Sequence, residues 1–416
     1  MKKYDSYKDS GIEWIGEIPS HWVRCRFKNF MYLKTEKSTS SVKIGLENIE
    51  SGTGRYIASD TEFEGDGVGF IRNDIVYGKL RPYLMKVWQA EFEGNAVGDF
   101  FVFSSLSNSF PTYVKYLMLS DGFTKETNGS TNGAKMPRVD SEFILTLPFY
   151  LPTKEEQQSI ASYLDEKCAA IDKVISTQQK RIELLKELKR SVITHAVTRG
   201  INPDVKMKDS GVEWIGMVPE HWEVKKMKFN FNVISGATPK SDFDQYWDGD
   251  IVWITPADYK TEQKFVCEGN RTITKEGYDS CNTQIVPSNS IIFSKRAPIG
   301  SVAISTVNLC TNQGCLSCVP LNANVTYFYY VMSICTEIFE ILGRGTTFRE
   351  ISASTFENVK LPSPPIAEQK DIVAYVERET LSIDKTIEKA LHQIDLLTEL
   401  KQSIITEVVT GKRKVI

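Results

Sequence analysis

Apolar residues recur at helical spacing along two long segments of the chain. Residues 154–198 contain no Gly or Pro, and the same pattern follows Pro364-Pro365 near the end of the sequence. In each segment one series of positions, spaced seven residues apart, is apolar at all but at most one place. Such a series is typical of a coiled-coil seam. Gln178 is the one polar member of the first series, and Ala390 holds its place in the second. The other members are the predicted seam residues: Leu164, Ile171, Leu185 and Val192, then Val376, Ile383, Leu397 and Ile404.

The ends of both helices are also predicted. Prolines precede each segment, and Gly200 and Gly411 follow them. Helices of this length are about 65 Å long at ~1.5 Å per residue, and each supplies the apolar partner that the other needs. The alternative is that each helix packs independently on its own globular domain.

The chain contains an internal repeat. Residues 8–22 (KDSGIEWIGEIPSHW, the first box) match residues 208–222 (KDSGVEWIGMVPEHW, the second box) at eleven of fifteen positions. The two helices align without a gap at a shift of 212 residues, which pairs Glu156-Gln157 with Glu368-Gln369. The intervening regions, 23–152 and 223–362, do not align convincingly. A repeated frame with different inserts suggests one scaffold holding two binding domains, although both inserts could simply have drifted.

This order predicts the domains and their fold class. The first globular domain spans 1–152, a central helix 153–200, a second globular domain 201–362, and a distal helix 363–416. Strand-like runs (70–71, 74–77, 83–88, 99–103, 251–254, 290–293 and 301–305) precede helical stretches at 111–120 and 325–342, which predicts an α+β fold for each domain.

The boxes themselves are predicted to be structural. In the first box, Trp14, Ile15, Pro19 and Trp22 form an apolar cluster that would bury a large area. The single histidine beside each second tryptophan is typical of a packed, hydrogen-bonded residue and not of a catalyst.

Charge and composition narrow the possible functions. The 416 residues carry 50 Lys+Arg and 53 Asp+Glu, a formal net charge of −3. Region 23–152 has a net charge of 0 and region 223–362 one of −1, so nucleic-acid binding would have to come from local clusters. No run approaches the ~20 apolar residues of a membrane helix, and the first residues lack the apolar core of a signal peptide. A soluble, cytoplasmic protein without membrane contact is expected.

Local clusters of this kind occur in both regions. Gly lets a backbone approach a phosphate, Thr donates to it, and Arg reaches a phosphate or a guanine edge. For any one loop, an exposed turn with solvated charges is an equal alternative. The predicted DNA-contacting residues are Lys79, Arg81, Tyr83, Lys135 and Arg138 in the first region, and Lys240, Lys295, Arg296, Arg344, Thr346, Thr347 and Arg349 in the second.

Motifs of catalysis are not found. The sequence contains no phosphate loop, no G-x-G-x-x-G fingerprint and no Asn/Asp-Pro-Pro-aromatic tetrapeptide of amino-methyltransferases. The eight cysteines are scattered, and the C-x-x-C of Cys315 and Cys318 lacks further zinc ligands nearby, so both are interpreted as apolar positions around a strand. The sequence therefore predicts a binding protein with no catalytic residues and no metal site.

The ordered set of motifs resembles the specificity (S) subunit of type I restriction–modification enzymes over nearly the whole chain. The similar segments are 8–22, 206–222, the helix starts at 151–157 and 361–369, and 77–83, 252–258, 293–300 and 343–349. The resemblance implies two target-recognition domains joined by two long antiparallel helices with pseudo-two-fold symmetry.

The resemblance also implies partners and cofactors. The S subunit would join two modification (M) subunits, which bind S-adenosylmethionine and methylate a flipped adenine. Restriction (R) subunits would add ATP- and Mg-dependent cleavage, so that no cofactor belongs to this chain. Two domains on a spacer would read a bipartite, asymmetric double-stranded DNA target. Two alternatives stay open: a scaffold whose variable domains bind proteins, and an enzyme with a site across both domains.

Overall fold

The computed structural model is of the α+β class that the sequence predicts. It describes residues 3–38, 40–131, 133, 135–259, 263–296, 298–343 and 349–415. The chain divides into two compact units: the first unit is Met1–Gln179 with Ala390–Ile416, and the second unit is Lys180–Lys389. Each unit holds one box, one globular region, the first part of one long helix and the last part of the other. The predicted domain limits at 152, 200 and 362 stay predictions.

The first globular region is built from short strands and short helices, and a long helix follows it. Its strands are β1 (Tyr7–Asp9), β2 (Glu17–Pro19), β3 (Val23–Arg26), β4 (Met31–Lys34), β5 (Lys37–Ser38), β6 (Lys43–Ile44), β7 (Gly67–Phe70), β8 (Ile75–Gly78), β9 (Val87–Gln89), β10 (Gly94–Ala96), β11 (Phe100–Ser105) and β12 (Pro148–Leu151). Its helices are α1 (Pro111–Met118), α2 (Asp121–Gly129), α3 (Ser141–Thr146) and the long α4 (Lys154–Arg199).

The second globular region follows the same plan. Its strands are β13 (Met207–Asp209), β14 (Met217–Pro219), β15 (Glu223–Lys226), β16 (Phe231–Ser235), β17 (Trp247–Ile254), β18 (Phe265–Val266), β19 (Arg271–Ile273), β20 (Ile291–Ser294), β21 (Val302–Ser305), β22 (Cys310–Thr311), β23 (Cys315–Pro320) and β24 (Lys360–Ser363). Its helices are α5 (Lys275–Asp279), α6 (Val325–Ser333), α7 (Thr336–Leu342), α8 (Ala353–Glu357) and the long α9 (Ile366–Val409).

One antiparallel sheet has the same strand order in both regions. The order is β4-β11-β8-β9 in the first region and β16-β23-β20-β21 in the second, where β18 adds a parallel edge strand. Three short helices then lead to a strand that pairs back near the box, β12 with β3 and β24 with β15. The smaller sheets differ, with orders β5-β7-β10-β6 and β19-β17-β22. The two regions therefore share a fold that is not apparent when their sequences are compared.

Apolar side chains of the long helices complete the core of each unit. In the first unit, Leu164 of α4 and Val408 of α9 are buried together with Trp22 of the first box. In the second unit, Val376 of α9 and Ala196 of α4 are buried with the equivalent tryptophan of the second box. Because the start of one helix packs beside the end of the other, the two run antiparallel within each unit.

Equivalent ion pairs join the two helices within each unit. Lys401 donates to both carboxylate oxygens of Asp172 at 2.8 and 3.0 Å, and Lys189 donates to both oxygens of Asp384 at 2.7 Å. Asp172 and Asp384 lie 212 residues apart, as do Lys189 and Lys401. The duplication therefore extends from the apolar seam to its polar contacts.

The predicted seam residues lie on the covered side of each helix. Leu164 and Val376 are fully buried, Ile404 is 9% exposed, and the other five are half-buried. At the middle of the series Ala390 is buried, and the side-chain oxygen of Gln178 is buried with no hydrogen-bond partner among the described residues.

Each box is a hairpin tied to the first turn of a long helix. In the first box, Trp22 Nε1 donates to Glu156 at 3.2 Å, and His21 Nε2 lies 2.9 Å from the same carboxylate. The second box repeats these contacts with Trp222, His221 and Glu368 at 3.0 and 2.8 Å. The histidines are hydrogen-bonded, but they are not packed in the core as predicted. Half of each side chain is exposed, since each ring lies at the surface beside the first turn of the helix.

Two other local predictions are wrong. Tyr83, placed by the sequence in a strand over 83–88, lies in a single 3-10 turn (Pro82–Leu84), because Pro82 fixes a turn conformation there and the strand begins only at β9. The helix predicted over 325–342 is two helices, α6 and α7, which meet at an angle of 69°. The bend lets buried Cys335 and Phe339 pack into the same core as α6. Among the described residues no single helix is long and apolar enough to cross a membrane, although this bent pair reaches that length and composition.

Candidate nucleic-acid interface

Three of the five predicted contact residues of the first region meet at one edge of its main sheet, just beyond β8: Lys79, Arg81 and Arg138. The amide of Arg81 donates to the carbonyl of Pro137 at 2.8 Å, and the amide of Val139 donates to the carbonyl of Lys79 at 3.1 Å. This antiparallel pairing joins segment 79–81 to segment 137–139, which is distant in sequence. The two predicted loops therefore form one surface.

Asp99 binds two cations of this surface. Arg138 donates through Nε and Nη2 to both carboxylate oxygens, at 3.2 and 3.0 Å, and Lys79 Nζ lies 3.7 Å from Oδ1. Bidentate pairing fixes the plane of a guanidinium. The hydrogen bond and charge of Asp99 also raise the pKa of Arg138. The first cluster, defined as Lys79, Arg138 and Asp99, thus carries two positive charges and one negative.

The remaining predicted residues of the first region lie within four residues of a cluster cation in the sequence. Arg81, Tyr83 and Lys135 are exposed. Arg81 and Met85 have φ angles of 52° and 47° and flank the 3-10 turn, so the turn lies between two residues in the left-handed region. Each such residue costs about 1–3 kcal/mol, and strain of this kind is concentrated at binding sites.

The second region has a cluster at the same edge, just beyond β20. The amide of Ile351 donates to the carbonyl of Lys295 at 3.0 Å, and the amide of Lys295 donates to Gly314 at 2.9 Å. Glu350 accepts from Lys295 Nζ at 2.8 Å and from Arg296 Nε at 2.9 Å. Partial burial favours a higher pKa for Glu350, but the hydrogen bonds from the two cations outweigh it and lower the pKa. The second cluster, Lys295, Arg296 and Glu350, again combines two cations with one carboxylate.

Other predicted residues of the second region lie near this cluster. Lys240 is exposed in the loop after β16, with its Nζ 5.6 Å from the ring centre of Phe243. The backbone of that loop bonds to segment 311–314, which also borders the second cluster. Arg349 is exposed beside Glu350. Arg344, Thr346 and Thr347 lie outside the described residues.

The sequence analysis missed both carboxylates. Glu350 holds the position of Arg138 in the shared fold, because each precedes the residue whose amide bonds to the cluster lysine. Gly314 holds the position of Asp99, because each carbonyl accepts from the amide of that lysine. Each carboxylate reaches its cations through pairing that is distant in sequence. The sequence did contain a signal for these carboxylates. In each region an acidic residue lies beside a strand or loop that pairs with the cationic segment.

The C-x-x-C cysteines are part of the core. Cys315 and Cys318 lie in β23 and belong to different apolar clusters on opposite faces of the sheet. Burial raises the pKa of Cys315 to about 12, and it also raises that of Cys318. Within the part of the chain that the structure describes, no three His, Cys, Asp or Glu side chains are grouped to hold a metal ion.

Comparison with known proteins finds similarity to one family. A family model described as the type I restriction modification DNA specificity domain matches residues 219–409. The MjaIX specificity subunit of a type I restriction enzyme from Methanocaldococcus jannaschii is 36% identical over 190 residues, which are 45% of this chain and 43% of that protein. The MjaVIII specificity subunit from the same organism is 25% identical over 96% of this chain and 94% of that protein. The chain is therefore similar to type I restriction–modification specificity subunits over nearly its whole length.

Solved structures of type I systems share the fold of this chain. A chain from a structure on complex assembly of the type I system has a TM-score of 0.75 at 18% identity, covering 94% of this chain and 98% of that chain. The HsdS subunit from Thermoanaerobacter tengcongensis has a TM-score of 0.56 at 17% identity, covering 95% and 98%. The relatives with higher sequence identity are covered only in part. This chain spans 43% of the length of MjaIX and 59% of the length of the putative MjaX specificity subunit, which is 30% identical.

Proposed function

We propose that this chain is a specificity subunit that recognises a bipartite, asymmetric sequence in double-stranded DNA, and that each globular region reads one half. One observation carries the proposal. The same fold presents a cation cluster at the same sheet edge in both regions, while the residues that form the cluster differ. A duplex presents its readable faces once per ~34 Å turn, so two unlike domains on a spacer suit two unlike half-sites.

The chemistry of the clusters suits base and phosphate contacts. Arginine donates in bidentate fashion to guanine O6 and N7, and lysine and backbone amides contact phosphates. Half of the Arg138 side chain and 45% of the Arg296 side chain remain exposed beside their carboxylates. Because both regions are nearly neutral overall, these local cations and the exposed residues around them would provide the contact.

The long helices would set the gap between the half-sites and dock two modification subunits. Equivalent pairs of leucines on the helices are exposed to solvent: Leu184 and Leu188 in the second unit (65% and 49%), and Leu396 and Leu400 in the first (50% and 49%). Each pair is spaced i, i+4, so its members share one helix face. Exposed apolar pairs at equivalent places support two equivalent protein partners.

No catalytic step is assigned to this chain. The modification subunits would bring S-adenosylmethionine and methylate adenine, and restriction subunits would bring ATP- and Mg-dependent cleavage in a full cytoplasmic complex. A scaffold that binds only proteins through its variable regions is disfavoured, because the family model that matches the second region is described as a DNA specificity domain.

The test is a map of methylated adenines in host DNA, with and without this gene. A two-part methylated motif should be present with the gene and lost without it, and should return when the gene is restored. An unchanged map overturns the proposal.

A further inference from the structure

Each cation cluster contains one carboxylate shared by two cations. Asp99 is 23% exposed between Lys79 and Arg138, and Glu350 is 34% exposed between Lys295 and Arg296. Arg138 donates to its carboxylate through Nε and Nη2, and Arg296 donates through Nε. Each guanidinium carries five N–H donors, so further donors remain on side chains that are 50% and 45% exposed. The net charge of each cluster is +1 instead of +2.

This composition is assembled from different positions in the two regions. In the first region the carboxylate precedes β11 and the arginine lies on the loop before α3. In the second region the arginine follows β20 and the carboxylate lies on the loop before α8. A pairing inherited from one ancestral unit would keep its residues in place. The same charge set rebuilt from other residues points to a requirement of the site.

We propose that Asp99 and Glu350 are specificity-determining residues of the two reading sites. This inference rests on the proposed function. Phosphates occur at every step of a duplex, so a cation that binds them freely gains affinity without discrimination. The carboxylate cancels one charge and holds the guanidinium in one orientation. That favours the directional hydrogen bonds of a base edge over the diffuse attraction of the backbone, and specificity is the difference between those two affinities.

The decisive experiment maps methylated adenines in cells that carry Asp99→Asn or Glu350→Gln in the full-length chain with its own modification subunits. Each variant should relax one or more base positions in one half of the motif and leave the other half intact. The two variants should relax opposite halves. The intact half shows that the chain folds and assembles.

Matched controls remove a carboxylate from an ion pair elsewhere in the same region. Asp121→Asn breaks the i, i+4 pair with Lys125, and Asp279→Asn breaks the i, i+4 pair with Lys275. Both controls should leave the motif unchanged.

A second measurement uses the purified complex and duplex DNA that lacks the motif. Removing one carboxylate should steepen the slope of log affinity against log salt concentration by about 0.9. The variant's gain in affinity over the wild-type chain should therefore be roughly 3.5-fold larger at 50 mM than at 200 mM salt. An unchanged motif together with an unchanged salt slope overturns the inference and leaves the proposed function standing. Loss of methylation at every site also overturns it, because the carboxylate would then be structural. A wild-type chain that yields no motif refutes the proposed function itself.

Discussion

The equivalent helix-joining ion pairs should differ in strength because they differ in burial. Lys401→Met removes the cation from the first unit's pair, and Lys189→Met removes its equivalent from the second. The Lys401 side chain is 9% exposed and that of Asp172 is 15% exposed, whereas Lys189 and Asp384 are 34% and 49% exposed. The two substitutions are identical in chemistry and occupy the same place in the repeat.

The expected magnitudes follow from these environments. Removing one partner of a buried pair costs about 3–5 kcal/mol, because the other charge is left uncompensated. Asp172 retains Arg55, whose Nη2 lies 2.6 Å from Oδ2, so we expect about 2 kcal/mol for Lys401→Met. An exposed pair contributes about 0.2–1 kcal/mol, so Lys189→Met should cost about 0.5 kcal/mol.

Urea unfolding followed by tryptophan fluorescence measures both losses. Separate transitions for the two units are fitted separately, because a two-state treatment of the whole chain is not justified. The double variant Lys401→Met with Asp172→Asn should recover part of the loss, since it removes the stranded charge. Equal losses for the two lysine variants, or additive effects in the double variant, would refute the reasoning.

Three further predictions concern the reading site, a helix end and the buried thiols. Arg296→Ala should weaken DNA binding by the purified complex at several salt concentrations without changing its assembly with modification subunits, as measured by gel shift and size-exclusion chromatography. Gly411→Ala should destabilise the protein by about 1–3 kcal/mol more than Gly200→Ala in thermal unfolding. Both glycines have positive φ, but an added Cβ would lie 2.4 Å from a box proline at 411 and 3.3 Å from its nearest neighbour at 200. Stability should fall between about pH 9 and 12, because burial raises the pKa of Cys315 from 9.0 to about 12. The neutral thiol is favoured in the fold, so its contribution is complete below pH 9 and is lost as the pH rises to 12. A thiol reagent at pH 8 should accordingly label exposed Cys267 and spare Cys315.

Each of these has a matched comparison. Lys275→Ala removes an exposed, ion-paired cation from the same region as Arg296, and it should leave DNA affinity unchanged. Equal destabilisation by the two glycine variants would contradict the packing argument. Cys315→Ser should reduce the alkaline loss of stability, and rapid labelling of Cys315 in the folded protein would contradict its burial.

The long helices could be predicted closely because their information is local. The segment predicted over 154–198 is α4, Lys154–Arg199, and the second helix begins directly after its two prolines. Uninterrupted heptads, prolines before the start and glycines after the end all act within a few residues. The same locality explains why the repeated boxes were recognisable.

The common fold of the two globular regions could not be predicted in this way. Residues at equivalent positions differ in charge: Arg138 corresponds to the acidic Glu350, and Asp99 corresponds to the uncharged Gly314. Direct alignment of the two sequences therefore fails. The partners of each cluster meet only when strands pair across the sheet. The break between α6 and α7 could not be predicted for another reason. Cys335 lies at the break and is neither Gly nor Pro, so no helix-breaking residue marks it, and tertiary packing decides the bend.

Candidate contact residues could be proposed from the sequence because cations beside glycines are visible there. In the first region, backbone pairing brings together Lys79, Arg81 and Arg138. In the second region, it brings Lys295 and Arg296 beside Glu350, the residue after Arg349. Their assignment to bases or phosphates stays a prediction.

The two units also differ in how they can be completed during synthesis. The second unit is one continuous stretch of chain, so its core needs no residue beyond 389. The first unit is discontinuous and needs residues 390–416 as well. Until they emerge from the ribosome, Leu164 and its neighbours on α4 lack the side chains of α9 that bury them. The half of the protein that is translated first therefore depends on the part that is translated last to complete its core.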